Sequence, residues 1–191
     1  KEDIIELGEK IGVDLDDTIV EYGNVYFRAI RTGLKVDIPK LYSSFSCKVR
    51  ELPEIASIPC RVKFLTELVS RNYFYKTAKP IPDAIETLNR WRDQGHEIWF
   101  VTARWPNLSG VTFEWMERYG IDWGVEKTSF KLNPEEKSGK YKNRICEERR
   151  FDVFIEDMVD VLEAIDTPSV RLKIGLTRLW NKEGYQEGKN G

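Results

Sequence analysis

The sequence predicts an α/β fold, an open parallel sheet flanked by helices with a small helical cap inserted after the first strand. Three short apolar runs, at residues 11–14, 98–102 and 151–157, each end in an acidic or hydroxyl side chain. Uninterrupted apolar strands are typical of parallel sheets that are buried on both faces. Segments with helical periodicity alternate with these runs, which favours a parallel sheet over an antiparallel one.

The remaining elements follow in order along the chain. Helical spacing of apolar residues predicts helices over 83–94 and 110–119, closed by Gly95 and Gly120. Further helices are predicted over 142–150 and 159–165, and a fourth strand is predicted over 170–176. Ligands bind beyond the carboxyl ends of the strands in such sheets, so the polar residues there are the candidates for a site.

Residues 22–79 depart from this alternation. The interval is too long and too apolar for a loop, and its aromatic and leucine side chains recur mostly at helical spacing. We therefore predict a helical cap subdomain over 22–79 and a core domain formed by 1–21 and 80–191. The chain returns to the sheet through Pro80-Ile81-Pro82.

Composition argues against several function classes. A net charge of −2 over 191 residues gives no general reason to bind nucleic acid or an anionic membrane. No apolar run approaches the roughly 20 residues of a membrane helix. The three cysteines match no zinc-binding spacing, and their odd number with no secretion signal favours a reducing cytoplasm. The single histidine, His96, is predicted to lie in a turn, so any chemistry is expected to use carboxylates.

Three carboxylates lie within four residues at the end of the first strand: Asp14, Asp16 and Asp17. They repel one another unless a cation or a basic group compensates. In an extended segment Asp14 and Asp16 point the same way, so one suits a hard cation while the other handles a proton. A solvated acidic turn or a cap on the next helix explains the cluster equally well.

The other strand ends add side chains of complementary chemistry. Thr102 offers a hydroxyl to an anion, although threonine is also an ordinary strand residue. Glu156, Asp157 and Asp160 offer oxygen ligands, or an N-cap with an acidic first turn. Lys142 offers a positive charge, or is a solvated lysine. Together these residues form a set suited to proton transfer, metal binding and phosphate binding.

These motifs, in this order, resemble those of the haloacid dehalogenase superfamily of magnesium-dependent phosphatases. The four matching segments are Ile11-Gly-Val-Asp14-Leu-Asp16-Asp-Thr18, Trp99-Phe-Val-Thr102, Lys142 (with Lys140 as second choice) and Ile155-Glu156-Asp157. They extend over nearly all of residues 10–180. The resemblance implies a Rossmann-like core with a cap.

Within the superfamily the sequence is similar to the 5′-nucleotidase group that includes the 5′(3′)-deoxyribonucleotidases. The position of the insert, Pro80-Ile-Pro82-Asp-Ala, Val101-Thr-Ala-Arg104 and the segment 176–181 carry this likeness. Two departures leave nucleotide specificity open. Thr102-Ala103-Arg104 stands where that group has Thr-Ser-Pro, and Glu156-Asp157 stands where it has two aspartates.

The resemblance implies a mechanism and a set of site residues. Asp14 is the nucleophile that forms an aspartyl-phosphate, and Asp16 is the general acid and base. Mg²⁺ is held by Asp14, the backbone carbonyl of Asp16, and Asp157. Thr102 and Lys142 hold the phosphoryl oxygens.

The resemblance also implies outer roles around this centre. Glu156 and Asp160 orient metal-bound waters or the lysine. Cap aromatics could stack on a base and arginines contact phosphate or sugar, with Tyr22, Tyr26, Phe27, Arg28 and Arg104 as the candidates. Most of the cap aromatics are instead expected to pack in the core of the cap.

The expected partner is a small phosphorylated substrate, a nucleoside monophosphate by preference, with no nucleic-acid polymer and no membrane. A phosphatase of a sugar phosphate or another small metabolite is the main alternative, because it differs only in the cap. A phosphorylatable receiver domain is disfavoured by motif order: here Thr102 precedes Lys142 and the second acidic pair. A non-catalytic ligand-binding member is disfavoured because Asp14 and Asp16 are both present.

Overall fold

A parallel sheet forms the centre of the protein. A computed structural model describes residues 8–35, 55, 57–58 and 73–178. Within them the sheet has five strands in the order β3-β2-β1-β4-β5, each parallel to its neighbour. The strands are β1 (Lys10–Val13), β2 (Glu97–Thr102), β3 (Thr128–Phe130), β4 (Val153–Glu156) and β5 (Leu172–Gly175). The predicted open parallel sheet is confirmed.

Helices connect and cover the strands. They are α1 (Tyr22–Leu34), α2 (Tyr73–Thr77), α3 (Ala84–Asp93), α4 (Ser109–Arg118), α5 (Ser138–Arg149) and α6 (Val159–Ala164), with 3₁₀ segments at Pro106–Leu108 and Asp122–Lys127. Four of them coincide with the predicted helices. Helix α5 begins at Ser138, earlier than the predicted range 142–150, so Lys142 lies inside the helix and not at its first residue. No helix in the described ranges is long and apolar enough to cross a bilayer.

Both faces of the sheet are buried, as the uninterrupted apolar strands predict. On one face Ile11 and Phe100 pack in a cluster with Trp115 of α4. On the other face, Phe154 packs with Tyr141 of α5 in a second cluster. With helices on both faces of the sheet, the carboxyl ends of the strands are the expected place for a ligand.

Gly12 is required by the close packing of β1 against β4. Gly12 is paired in register with Phe154. A Cβ atom at position 12 would lie 2.6 Å from the Phe154 ring and 2.8 Å from the Phe151 ring, closer than side chains can approach. The missing side chain therefore lets β4 bury Phe154 over β1, and it keeps the ends of these two strands adjacent.

Strand β3 is an element that the periodicity analysis did not predict. It spans three half-buried residues, Thr128–Phe130, and within the described chain it pairs with β2 alone. An edge strand of this length carries no continuous apolar run, so its hydrophobic pattern gives no signal.

Within the predicted cap the structure describes the helices α1 and α2 and three residues of the interval between them, Ile55, Ser57 and Ile58. The two chain segments that connect them to the core form hydrogen bonds with each other. Glu21 N donates to Lys79 O at 2.8 Å, and Ile81 N donates to Ile19 O at 2.8 Å. Tyr22 of α1 and Tyr75 of α2 stack with ring centroids 5.6 Å apart. Most of the remaining interval lies outside the described residues, and the boundaries 22–79 stay a prediction.

Candidate active site

A cavity of about 980 Å³ opens beyond the carboxyl ends of the strands. All six acids at the ends of β1 and β4 that the sequence pointed to line this cavity: Asp14, Asp16, Asp17, Glu156, Asp157 and Asp160. Two elements far apart in sequence therefore bring their acids to one site, because β1 and β4 are adjacent parallel strands.

Asp14 is fixed by contacts with β4, Lys142 and Thr18. It follows β1 directly, and its backbone N donates to Ile155 O at 3.0 Å, which ties it to β4. Lys142 Nζ donates to Asp14 Oδ1 at 2.5 Å, and Thr18 Oγ1 donates to Oδ2 at 3.3 Å. Burial and the neighbouring Glu156 carboxylate raise the pKa of Asp14 to about 7, although Lys142 opposes the shift. The Asp14 carboxylate is thus buried and fixed, and its pKa lies close to neutral pH.

Lys142 lies between two carboxylates. It is buried, and its ammonium bonds Asp14 and also Glu156 Oε2. Burial alone would lower the pKa of Lys142, but the two carboxylates outweigh it and raise the pKa above its ordinary value. Lys140 is exposed and also lines the cavity. Of the two lysines considered from the sequence, Lys142 is the one that contacts Asp14.

Three buried acids form a set that suits a divalent cation. Asp14, Glu156 and Asp157 each offer a carboxylate oxygen, and these oxygens lie within 4.8 Å of one another. An all-oxygen set of this kind fits Mg²⁺. The sequence placed Asp14 and Asp157 among the ligands and Glu156 outside them. Burial raises the pKa of Glu156 to about 7. Asp160 is exposed in the first turn of α6 and lies outside this set.

Asp16 is paired with an arginine that follows β2. Arg104 Nε donates to Asp16 Oδ2 at 3.0 Å, and Nη2 donates to Oδ1 at 2.5 Å. The Arg104 side chain is 1% exposed and that of Asp16 is 27% exposed. Burial opposes the positive charge, but the Asp16 carboxylate outweighs it and raises the pKa of Arg104. Both Asp16 oxygens are therefore oriented by one buried guanidinium.

Arg104 also connects this carboxylate to the cap helices. Its Nη1 donates to Thr112 Oγ1 at 2.9 Å, and its Cζ lies 4.3 Å from the centroid of the Tyr75 ring. Tyr75 in turn stacks on Tyr22. Stacking of a guanidinium on an aromatic face is favourable, more so when it is desolvated. A continuous set of contacts thus runs from Asp16 to α2 and α1.

Thr102 occupies the last position of β2 and is 1% exposed. Its Oγ1 accepts a hydrogen bond from Arg104 N at 3.1 Å. Among the described residues, Ala103 and Arg104 line the cavity at this strand end, and Thr102 does not. Its role toward phosphate remains a prediction.

The cap candidates divide between the cavity and its surroundings. Tyr22 lines the cavity, whereas Arg28, an exposed residue of α1, lies outside the described lining. Phe27 is half-buried and also lies outside the described lining. The side chain of Tyr26 lies outside the described part of the chain.

Asp17 contributes more to the turn than to the open site. It adopts a left-handed φ of 60°, and its Oδ1 accepts a hydrogen bond from Gly23 N at 2.8 Å. Burial raises the pKa of Asp17 to about 8, although the Gly23 bond opposes this. Arg178 Nε donates to Asp17 O at 2.7 Å. The side chain therefore caps α1 from the loop that carries Asp14 and Asp16.

Sequence reasoning did not single out two lining residues, Tyr75 and Lys131. Tyr75 belongs to the cap, where its aromatic spacing gave no indication of which face meets the core. Lys131 follows β3, the strand that the apolar pattern did not reveal. A strand-end position is the signal that would have found Lys131.

Two other proteins are similar to this one over most of its sequence. No family model matches the sequence. A Bacillus cereus protein named "Putative nucleotidase" is 25% identical over 158 residues, which cover 82% of this chain and 80% of that protein. "Putative nucleotidase OB0422" from Oceanobacillus iheyensis is 27% identical over 169 residues, covering 86% and 85% of the two chains.

Solved structures identify the fold. A haloacid dehalogenase-like hydrolase from Bacteroides fragilis aligns with a TM-score of 0.64 at 13% identity, covering 93% of each chain. In this protein the sheet is open and parallel, and acids lie at the ends of two adjacent strands. The site is therefore of the class found at the carboxyl ends of the strands in α/β folds. The fold is that of the haloacid dehalogenase-like hydrolases, which confirms the fold that the four motifs implied.

Proposed function

We propose that the protein is a magnesium-dependent phosphomonoesterase that acts through an aspartyl-phosphate on Asp14. The observation that carries the proposal is the buried contact of Asp14 with Lys142, beside Glu156 and Asp157, at the floor of a large cavity. A phosphate ester brings negative charge, and a lysine with an acid-bound cation is the arrangement that neutralises it.

In the first step an Asp14 oxygen attacks phosphorus, and the bond from phosphorus to the leaving alcohol breaks. Lys142 holds the Asp14 carboxylate in place and offers its remaining N–H to a phosphoryl oxygen. Asp14, Glu156 and Asp157 are the residues that would hold Mg²⁺. When bound, Mg²⁺ reduces the repulsion between the carboxylate nucleophile and the phosphate dianion.

Asp16 handles the proton in both steps. It gives a proton to the oxygen of the leaving alcohol, and then takes one from the water that attacks the phosphorus of the aspartyl-phosphate. Hydrolysis releases inorganic phosphate and restores the Asp14 carboxylate. Arg104 fixes the direction of the Asp16 carboxylate at the cavity wall.

A nucleoside monophosphate is the proposed substrate class. Two similar proteins carry the word nucleotidase in their names. A cavity of about 980 Å³ has room for a nucleoside as well as a phosphate. Tyr22 lines the cavity and is half-buried, so its ring suits a flat aromatic base, whereas Tyr75 is buried against Tyr22 and Arg104.

A screen for phosphate release tests both levels of the proposal. The purified protein is assayed with ribo- and deoxynucleoside monophosphates, sugar phosphates, polyol phosphates and 4-nitrophenyl phosphate, with Mg²⁺ and with EDTA. We expect Mg²⁺-dependent turnover with the highest kcat/KM on a nucleotide. A preference for a sugar or polyol phosphate would refute the proposed nucleotide substrate but not the proposed phosphatase chemistry. No turnover of any ester would refute the phosphatase chemistry itself.

A further inference from the structure

Lys131 is a buried cation that faces the cavity without an acidic partner. It follows β3, is 9% exposed and lines the cavity. Its Nζ donates to Glu136 O at 3.0 Å. In the part of the chain that the structure describes, Lys131 makes no ion pair, and the Glu136 carboxylate is taken by Arg144 at 3.2 Å.

This arrangement differs from that of the other buried cations of the site. Lys142 contacts two carboxylates, and Arg104 binds both oxygens of Asp16. An ammonium has three donors, and one neutral carbonyl leaves two of them for another group. Burying a charge without a counter-charge is unfavourable, so an anion that enters the cavity gains a preformed partner.

The start of α5 lies beside this ammonium and adds to its positive potential. Lys137 is the N-cap residue and makes no side-chain capping hydrogen bond. Lys137, Ser138 and Gly139 all line the cavity. The N-terminus of a 12-residue helix presents unpaired N–H groups and a partial positive charge. Lys131 binds the carbonyl of Glu136, one residue before this cap.

The lysine side of the cavity is separate from the nucleophile. Thr102 of β2 pairs with Phe130 of β3, so Lys131 continues the edge strand, whereas Asp14 continues β1. Strands β3 and β1 lie on opposite sides of β2. Two interstrand spacings place the two backbones roughly 10 Å apart. Lys131 Nζ is held at the carbonyl of Glu136, ahead of α5, whereas the Asp14 carboxylate is bound by Lys142 within α5.

We propose that Lys131, with the N-terminus of α5, binds a second phosphate group of the substrate, remote from the phosphate that is transferred. The protein then prefers a bisphosphorylated nucleoside or sugar over the corresponding monophosphate. The inference rests on the proposed phosphatase function and narrows its substrate class.

Matched substrate pairs test the proposal. The values of kcat/KM are measured for adenosine 5′-monophosphate against adenosine 3′,5′-bisphosphate, and for glucose 1-phosphate against glucose 1,6-bisphosphate. We expect the wild-type protein to prefer the bisphosphate by about 10-fold or more in at least one pair. Lys131→Met should remove that preference, while 4-nitrophenyl phosphate, which has no second anion, changes by less than about threefold.

Lys173→Met is the matched control. Among the described residues, Lys173 Nζ likewise binds backbone carbonyls and no acid, with Leu162 O at 3.1 Å and Ile165 O at 2.9 Å, but Lys173 does not line the cavity. This variant should keep the bisphosphate preference. Lys131→Arg keeps the positive charge and should keep most of the bisphosphate preference. If it does, a loss of the preference in Lys131→Met reflects the missing charge and not misfolding.

Two results would overturn the inference: no bisphosphate preference in either pair, or an equal loss on 4-nitrophenyl phosphate in Lys131→Met. Thermal unfolding separates its failure from that of the proposed function. If no ester is hydrolysed, the phosphatase proposal fails, and the site is judged by binding. A bisphosphate should then raise the Tm of the wild-type protein, but not of Lys131→Met, above that seen with the monophosphate.

Discussion

At the scale of single residues, the site consists of side chains of opposite charge that are paired with one another away from water. Asp14, Glu156 and Asp157 are buried and would repel one another, but Lys142 lies between Asp14 and Glu156. Removing one partner of a buried charge pair leaves the other uncompensated, which costs more than the pair contributes. Each partner is therefore a sensitive test position.

Lys142→Met and Lys140→Met form a matched pair. Lys142 is buried on Asp14 and Lys140 is exposed at the same cavity. We expect Lys142→Met to lower kcat/KM on phosphomonoesters by about 100-fold or more, because charge stabilisation in the transition state is lost. Lys140→Met should stay within about threefold of wild type. Equal losses in the two variants would contradict the assignment of Lys142.

Arg104→Met tests how Asp16 is oriented. Without the guanidinium the Asp16 carboxylate is free to rotate, so proton donation to the leaving group suffers. We expect kcat/KM to fall about 10- to 100-fold for alkyl phosphates and only severalfold for 4-nitrophenyl phosphate, whose leaving group needs no proton. Arg90→Met, at an exposed position of α3, is the control. Equal losses on both substrates would indicate a merely structural role for Arg104.

At the scale of elements, strand ends were the informative positions of the sequence. The runs at β1, β2 and β4 were predictable because strands buried on both faces are continuously apolar. Glu156 and Asp157 were predictable as candidates because they follow such a run. Strand β3 was not, since it is a half-buried edge strand of three residues, and Lys131 went undetected with it.

The pairing of Asp16 with Arg104 could not be predicted from local sequence patterns, for another reason. The two residues are 88 positions apart, and their contact depends on the neighbouring positions of β1 and β2 in the sheet. The stacking of Arg104 on Tyr75 depends further on how the cap helix α2 meets the core. Periodicity predicts elements, whereas such contacts follow from their assembly.

The connection between the acidic loop and α1 depends on Asp17. Its left-handed φ suits glycine or asparagine, and its Oδ1 binds Gly23 N. We expect Asp17→Asn to keep the stability of the wild type, since asparagine retains both features. Asp17→Gly should lower the free energy of unfolding by about 1 kcal/mol, because the hydrogen bond to Gly23 N is lost. Asp17→Ala should lower it by about 1 kcal/mol more, because alanine is strained at a left-handed φ.

The free energy of unfolding in urea measures these differences. The order wild type, asparagine, glycine, alanine is the expected one at neutral pH. If Asp17→Gly were as stable as Asp17→Asn, the Gly23 hydrogen bond would contribute nothing and the capping role would be wrong.

At the scale of the whole molecule, the buried acids link stability to pH and to metal. The pKa values of Asp14 and Glu156, about 7, and of Asp17, about 8, lie above their ordinary values because of burial. Between about pH 4 and these values the folded state binds more protons than the unfolded chain. The metal-free protein therefore loses stability as the pH rises through this range.

Thermal unfolding between pH 5 and pH 8 tests this linkage. Without metal, the Tm should fall as the pH rises. Millimolar Mg²⁺ binds the deprotonated acids, so its stabilising effect should be small at pH 5 and large at pH 8. Asp157→Asn, which removes one acid of the set, should reduce the Mg²⁺ effect. An equal Mg²⁺ effect at both pH values would contradict the proposed cation site.

The central claim is that Asp14 performs the chemistry, and its most direct test is Asp14→Asn. Phosphate release from 4-nitrophenyl phosphate and from the preferred substrate is measured with Mg²⁺ for this variant and for the wild type. Asparagine keeps the shape of the side chain and removes the nucleophilic oxygen. The account predicts a variant that still folds, since Glu156 remains paired with Lys142, and turnover reduced by about 1,000-fold or more. Turnover within about tenfold of wild type would contradict it.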